Sequence, residues 1–519
     1  MLAQGLKDQV KAVFANLNNE YTLKASVSED HPKREELVGL LTDVAGCSDK
    51  VSFVEEKGEA LSFEVLQNEE SSSNIQFKMV PNGHEFTTLL LAVLNKDGIG
   101  KNLPDQATIK RIQALDGSVL IKSFISLTCT NCPDVVQALN LMAIYNPNIS
   151  HELIDGGLYQ EEIDALNVQA VPTVYADKEV LHIGRSTLGE LLDKLETQMG
   201  STFQVENQEP VNYDVVVVGG GPAGVSSAIY SARKGFSVAL VADAVGGQVL
   251  ETMGIENLIS TPKTTGKELS ADMRSHLEDY NIDILENRRV QRTEVVDGFK
   301  HVYASTGEVF VTPALIIATG ASWRKLNVPG EQKYIGSGVA FCTHCDGPFY
   351  KDKKVVVVGG GNSGLEAAID LSSIATEVTV LEFMDTVKGD QVLQNKIDAL
   401  ANVKIITMAQ TMEVVGDDTK VTGIVYKNRE TEELVELTTD GVFVQIGLQP
   451  NSSVFKDLVS TNRFGEIEVD PNCRTNVAGV YAAGDVTVVP YKQIVVAMGE
   501  GSKAALSAFD DQIKDLQLA

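Results

Sequence analysis

No apolar run in this chain approaches the roughly 18 residues that would suggest a membrane span, and basic residues are scarce. Lysine and arginine number 43 against 71 acids, a formal net charge of −28. Such a chain repels phosphate backbones and anionic bilayer surfaces, so nucleic acid and membrane are set aside as partners. The N-terminus lacks secretory character and reads as an amphipathic helix, with Leu6, Val10, Val13, Phe14 and Leu17 on one stripe. The expected compartment is the cytoplasm. Structural disulfides stay reduced there, so paired cysteines need another purpose.

Only six cysteines are present, and four of them form two CxxC pairs, Cys129 with Cys132 and Cys342 with Cys345. Cys47 and Cys473 stand alone and read as small buried thiols. A zinc site is not expected. The pairs lie 210 residues apart, without His or Cys in ribbon spacing around either.

The polar, Pro210-containing stretch from Gly200 to Asn212 reads as a linker. Before it, two halves repeat one order of signals. Val80-Pro81, a glycine and a leucine-rich helix in the first half match Val171-Pro172, Gly184 and a second such helix. After the linker, two apolar strands each run into a glycine turn and then a helix. Tyr213 to Val218 leads to Gly219, Gly221, Pro222, Ala223 and Gly224; Lys353 to Val358 leads to Gly359, Gly361, Asn362, Ser363 and Gly364.

In each turn the first glycine permits the tight bend, the second lets a pyrophosphate approach, and the third lets helix pack on strand. The helix N-terminus then offers N–H groups to the phosphates. An acid that could bind a ribose hydroxyl follows in both cases, Asp243 in the first and Glu382 in the second. Two dinucleotides in one chain point to a flavin and a nicotinamide. Glu382 repels a 2′-phosphate, and the segment Phe383 to Lys388 has no arginine to hold one, so NADH is the expected donor.

CxxC suits dithiol exchange, since one thiolate attacks and the other resolves. Cys129 follows an apolar strand, Val119 to Leu127, and precedes a helix, Pro133 to Tyr145. The helix dipole lowers the pKa of a thiol placed there, which makes Cys129 the expected nucleophile and Cys132 the resolving thiol.

These motifs resemble known families. Strand, CxxC, helix and Val171-Pro172-Thr173 resemble thioredoxins and glutaredoxins, which implies a cis proline facing the dithiol. The first half has no CxxC and would be a redox-dead copy, with Glu85 expected as a solvated surface acid. Ala318-Thr319-Gly320 and the apolar strand Thr475 to Asp485 resemble two-dinucleotide-binding flavoproteins. That makes the first unit the FAD site and the second the NADH site. Cys342-Thr343-His344-Cys345-Asp346 resembles the redox motif of low-molecular-weight thioredoxin reductases. It implies that Cys345 faces the flavin, Cys342 is the interchange thiol and Asp346 donates a proton.

Over its whole length the chain resembles the flavoprotein subunits of bacterial alkyl hydroperoxide reductase, through SLTCTNCPDVVQALNLMA, GGQVLETMGIEN, ATGASWRKLNVPGE, FCTHCDGPFY and GVYAAGDV. The resemblance implies one non-covalent FAD per chain, with further contacts from Gly247, Gln248, Asn257, Thr319, Gly320, Gly484, Asp485, Gln493 and Ile494. It also implies a homodimer and a 2-Cys peroxiredoxin partner. The expected fold is α/β, a tandem thioredoxin-like domain followed by Rossmann-type FAD and NAD domains. The expected divisions are 1–99 without CxxC, 100–199 with it, a linker 200–211, FAD-binding 212–325 and 447–519, and NADH-binding 326–446. Joints near Leu326 and Ile446, with the linker, are the expected hinges. A thioredoxin reductase, an NADH oxidase and a non-enzymatic redox sensor remain as rivals at this point.

Overall fold

The computed structural model describes the chain except residues 1, 101–102, 128, 130–131, 167, 169–170, 204–208, 253, 342, 418 and 519. The side chains of 164, 251, 344, 345, 348 and 514–518 are likewise not described. The chain divides into two compact units, Met1–Gln204 and Val205–Ala519.

In the first unit both halves share one eight-stranded sheet. Its order is Val51–Lys57, Tyr21–Val27, Ser62–Gln67, Ile75–Lys78, Ile149–Asp155, Val119–Ile125, Thr173–Ala176 and Glu179–Ile183. The halves meet where Ile75–Lys78 pairs in parallel with Ile149–Asp155. Tyr21–Val27 alternates buried and half-buried residues, as a strand with one face on a core must. The helices Phe86–Lys96 and Cys132–Tyr145 pack together. The helix Gln4–Phe14 buries Val10 and Phe14, with Leu17 just beyond it, but leaves Val13 41% exposed. At 3.6 residues per turn Val13 stands about 60° round from Val10, at the stripe's edge.

The second unit holds two parallel five-stranded sheets. The first runs Ile282–Leu285, Val238–Val241, Val215–Val218, Ala314–Ile317, Val480–Ala482. Val215–Val218, valine throughout, is buried on both faces, as the middle of a helix-covered parallel sheet requires. The second sheet runs Val339–Ala340, Gly441–Val444, Lys354–Val358, Glu377–Leu381, Val403–Ile406. Each sheet thus reverses its strand order beside the strand that feeds the glycine turn, which is where open α/β sheets bind ligands. The chain passes between the two sheets through a two-stranded ribbon, Ala321–Trp323 against Leu448–Pro450. The strand expected from Thr475 to Asp485 is confined to Val480–Ala482. The residues before it turn back, with Gly479 at φ +70° and Thr475 N–H donating to the Val480 carbonyl.

Candidate active site

The glycine turns are built alike. Gly219 N–H donates to the Val241 carbonyl at 2.8 Å, and Gly359 N–H to the Leu381 carbonyl at 2.9 Å. The helices Pro222–Arg233 and Asn362–Ser372 start directly after Gly221 and Gly361. A Cβ on Gly224 would overlap the Gly219 carbonyl oxygen, and one on Gly364 the Gly359 carbonyl oxygen. Both positions therefore exclude every residue but glycine if helix and strand are to meet this closely. Gly221 and Gly361 differ from them. A Cβ at either would meet nothing within 4 Å, so each opens onto a cradle at the foot of a helix. Open space facing unpaired helix N–H groups fits a pyrophosphate.

Around the first cradle the structure assembles residues from across the unit. Gly247 lies against Gly221, and Gly246 N–H donates to the Gly220 carbonyl at 2.8 Å. The Gln248 amide is held by Ala321 and Trp323; its NH₂ donates to the Ala321 carbonyl at 3.0 Å and its oxygen accepts from Trp323 Nε1 at 2.6 Å. Gly484, at φ +76°, packs between Ala223 and Ala497, joining the first helix to the helix Ile494–Leu518. Asn257 Nδ2 donates to Gln493 Oε1 at 3.2 Å, across 236 residues of sequence. Thr319 and Asn451 exchange bonds: Thr319 Oγ1 to the Asn451 carbonyl at 2.7 Å, Asn451 Nδ2 to the Thr319 carbonyl at 2.9 Å. Gly320 accepts from Asn451 N–H at 3.0 Å. Burial raises the Asp485 carboxyl above the usual carboxylate range, with Lys492 opposing the rise. Asp243 is paired with Arg289.

At the second cradle Glu382 is nearly buried and both its oxygens accept from backbone, from Gly360 N–H at 2.6 Å and Met384 N–H at 2.8 Å. The carboxylate is thereby fixed at the seam between glycine turn and strand end. Asn362 Nδ2 donates to Asp390 Oδ2 at 3.0 Å and its Oδ1 accepts Asp390 N–H at 2.8 Å, while Ser363 is exposed beside it.

Cys129 and Cys132 are joined as a disulfide, Cα to Cα 5.5 Å. The helix expected from Pro133 starts at Cys132, and the Cys132 N–H points at Cys129 Sγ at 3.1 Å. Cys129 is half-buried and Cys132 fully buried. The Val171–Pro172 bond is cis, and the Val171 carbonyl lies 3.9 Å from Cys129 Sγ. Of the second pair, Cys342 lies outside the described residues. Cys345 and Asp346 occupy the short helix Thr343–Asp346. Phe349 beyond it packs on Gly254, in the segment between Gln248 and Asn257.

One expectation is overturned. Glu85 is not a surface acid but is fully buried. It ends a 3₁₀ turn, Gly83–Glu85, that leads into the apolar helix Phe86–Lys96 and carries it inward. Thr88 Oγ1 donates to it at 2.6 Å and accepts from Gln137 Nε2 at 3.1 Å, a residue of the dithiol helix. The signal for this is its place immediately before FTTLLLAVL. The lone cysteines are both buried. Cys47 donates to the Asp43 carbonyl and Cys473 to Glu500 Oε2 at 2.9 Å, and burial raises both thiol pKa values.

Sequence reasoning missed two arginines. Arg289 donates to Asp243, and Arg429 donates from Nη1 to the Phe383 carbonyl at 2.7 Å and lies 3.9 Å over the Phe383 ring. Neither is near its partner in sequence, and no motif marks them.

The chain matches the family model for pyridine nucleotide-disulphide oxidoreductases over residues 213–501, and that for a thioredoxin domain over 119–197. It is 45% identical over 518 residues to the alkyl hydroperoxide reductase F subunit of Pseudomonas aeruginosa, covering 99% of each chain. The corresponding F subunit of Staphylococcus aureus is 46% identical over 515 residues, 99% of this chain and 100% of that one. Among solved structures, thioredoxin reductase from Streptococcus pyogenes matches with a TM-score of 0.56 at 35% identity, over 59% of this chain and all of that one. Thioredoxin reductase from Giardia duodenalis also gives 0.56, at 31% identity, over 58% of this chain and 99% of that one.

Proposed function

Because this chain belongs to the pyridine nucleotide-disulphide oxidoreductases and, within them, to the family of alkyl hydroperoxide reductase F subunits, we propose that it is an NADH-dependent reductase of a 2-Cys peroxiredoxin. Its class, a flavin-dependent disulfide oxidoreductase with a thioredoxin-like domain, follows from that membership. FAD at the first cradle and NADH at the second would supply a two-electron reductant. The chain's own part is to hold both by the glycine turns, Asp243, Asp485 and Glu382, and to pass the electron pair on through sulfur.

The sulfur steps balance as thiol–disulfide exchange. The Cys342 thiolate attacks Cys129, and Cys132 leaves as thiolate. Cys345 then closes on Cys342 and frees Cys129. Cys129, beside the Cys132 N–H, attacks the partner's disulfide, and Cys132 resolves the mixed disulfide. Asp346, next to Cys345 on one short helix, is the acid assigned to protonate the leaving thiolate. The N-terminal dithiol must meet both an internal and an external partner, so the units move as rigid bodies about the linker. The joints near Leu326 and Ile446 serve the two dinucleotide sites in the same way. The enzyme works as a cytoplasmic homodimer.

The observation that carries this reading is the N-terminal disulfide, with Cys129 half-exposed against the Cys132 N–H and the Val171 carbonyl. Replacing Cys129 and Cys132 by Ser is expected to abolish peroxiredoxin turnover while leaving flavin bleaching by NADH intact. Undiminished peroxiredoxin turnover in that variant rejects the relay.

A further inference from the structure

Immediately after the buried Glu382, the chain exposes two apolar side chains, Phe383 at 48% and Met384 at 38%. Arg429 comes to them from the turn after the strand Val421–Asn428, in a different sheet. Its guanidinium is pinned twice, to the Phe383 carbonyl at 2.7 Å and over the Phe383 ring at 3.9 Å. The backbone around it is also tied, with Arg429 N–H donating to the Met408 carbonyl and Met408 N–H to the Met384 carbonyl. Among the described residues no carboxylate pairs with Arg429, although acids outnumber bases 71 to 43 in the chain.

A single exposed apolar residue needs no explanation. An aromatic ring and a thioether together, roofed by an arginine that no described carboxylate pairs and set beside a carboxylate already fixed for a ribose, do. Guanidinium is planar, weakly hydrated and stacks on aromatic faces, and a thioether adds a polarizable contact to a ring. One face of the guanidinium is taken by Phe383. Arg429 stays part-exposed, so its other face is the one on which a second flat aromatic group would stack.

We propose that Phe383, Met384 and Arg429 form the adenine-binding ledge of the second dinucleotide site, with Arg429 stacking on the base rather than holding a 2′-phosphate. The inference rests on the reading of that site as the NADH site. It divides the labour there. Arg429 holds adenine whichever dinucleotide is present, and Glu382 alone discriminates against the 2′-phosphate.

The test uses the FAD-loaded full chain and two probes, ADP-ribose and 2′-phospho-ADP-ribose, titrated by calorimetry. Arg429→Ala is expected to weaken both probes by the same factor, roughly three- to tenfold, and to raise the KM for NADH with kcat unchanged. Phe383→Ala is expected to do likewise, because it removes the support under the guanidinium. Arg429→Lys keeps the charge but not the plane, and is expected not to rescue. A loss confined to the 2′-phosphorylated probe, rescue by lysine, or unchanged binding in both alanine variants overturns the ledge. Failure of the unaltered protein to bind ADP-ribose at all overturns the nicotinamide reading itself, and the ledge with it.

Discussion

Arg289 donates from both Nη2 and Nε to a single oxygen of Asp243, at 2.9 and 3.2 Å. The acid expected to receive a ribose hydroxyl in the first site is therefore held by a guanidinium. The neighbouring backbone carries that arginine into place, since Asn287 N–H and Arg288 N–H donate to the carbonyls of Asp243 and Ala242. On the proposal that Asp243 binds the ribose, Arg289 would be a positioning residue that fixes the carboxylate's direction. The pair is part-exposed, so it contributes no more than about 1 kcal/mol. Arg289→Ala is expected to weaken FAD binding roughly two- to fivefold, read from flavin fluorescence on dilution. NADH binding should not change, and unaltered FAD retention would remove the role.

The open cradle at Gly221 and its counterpart at Gly361 predict a clean separation of folding from binding. Backbone at both is extended (φ −74° and −79°) and nothing lies within 4 Å of an added Cβ. Alanine is therefore tolerated by the protein but intrudes where a pyrophosphate would sit. Gly221→Ala should melt at the temperature of the parent and purify colourless. Gly361→Ala should keep its flavin and lose NADH binding. Gly224→Ala, by contrast, forces its helix off the strand and should lower the melting temperature. If Gly221→Ala retains full FAD, the pyrophosphate does not lie there.

The division between what can be read from sequence and what cannot follows the range of the forces involved. Glycine turns, CxxC pairs and buried valine strands are dictated by neighbours within a few residues, and each is legible. Gly247 beside Gly221, or Asn257 beside Gln493, needs the family resemblance, because each contact joins separate elements, 236 residues apart in the second case. Arg289 and Arg429 need coordinates. Each stands 46 residues beyond its partner, Asp243 or Phe383. The two are not equivalent positions: Arg289 lies just ahead of the strand Val290–Val296, whereas Arg429 lies past the strand Val421–Asn428. Glu85 misleads for a related reason. A carboxylate ahead of an apolar helix looks solvated until Thr88, itself held by Gln137, is seen to donate to it.

Thr88 is the joint between Glu85 and the dithiol helix. Its hydroxyl donates to Glu85 Oε2 and accepts from Gln137 Nε2, and it is itself fully buried. Thr88→Val keeps the shape but takes one hydrogen bond from each partner. Losing bonds to a buried hydroxyl, one of them to a carboxylate, costs about 1–3 kcal/mol. For a unit of this size that is about 2–4 °C of Tm per kcal/mol. Thermal melts of the full chain should show the loss in the transition of the N-terminal unit. Equal Tm values for variant and parent would mean that the network contributes nothing.

Beneath the same helix, His151 is wholly enclosed. Its Nδ1–H donates to Asn140 Oδ1 at 2.8 Å, and its Nε2 accepts from the Ser123 hydroxyl at 2.8 Å. Both bonds suit a neutral ring, and burial lowers its pKa from 6.5 to about 3. Above pH 6.5 folded and unfolded chains are both neutral here, and the histidine adds no pH dependence. As pH falls below 6.5 the unfolded chain gains a proton that the folded chain refuses, so stability declines until about pH 3. At pH 5 the penalty is about 2 kcal/mol, from roughly 1.5 pH units at about 1.36 kcal/mol each. Other groups titrate over the same range, so the comparison must be with a variant that cannot take this proton. His151→Asn should start less stable at pH 7, having lost its bonds, yet fall less steeply to pH 5. Its pH-dependent loss in urea unfolding should be smaller than the parent's by about that 2 kcal/mol. Parallel curves for the two proteins would show that His151 is not the group that sets the acid limit of the N-terminal unit.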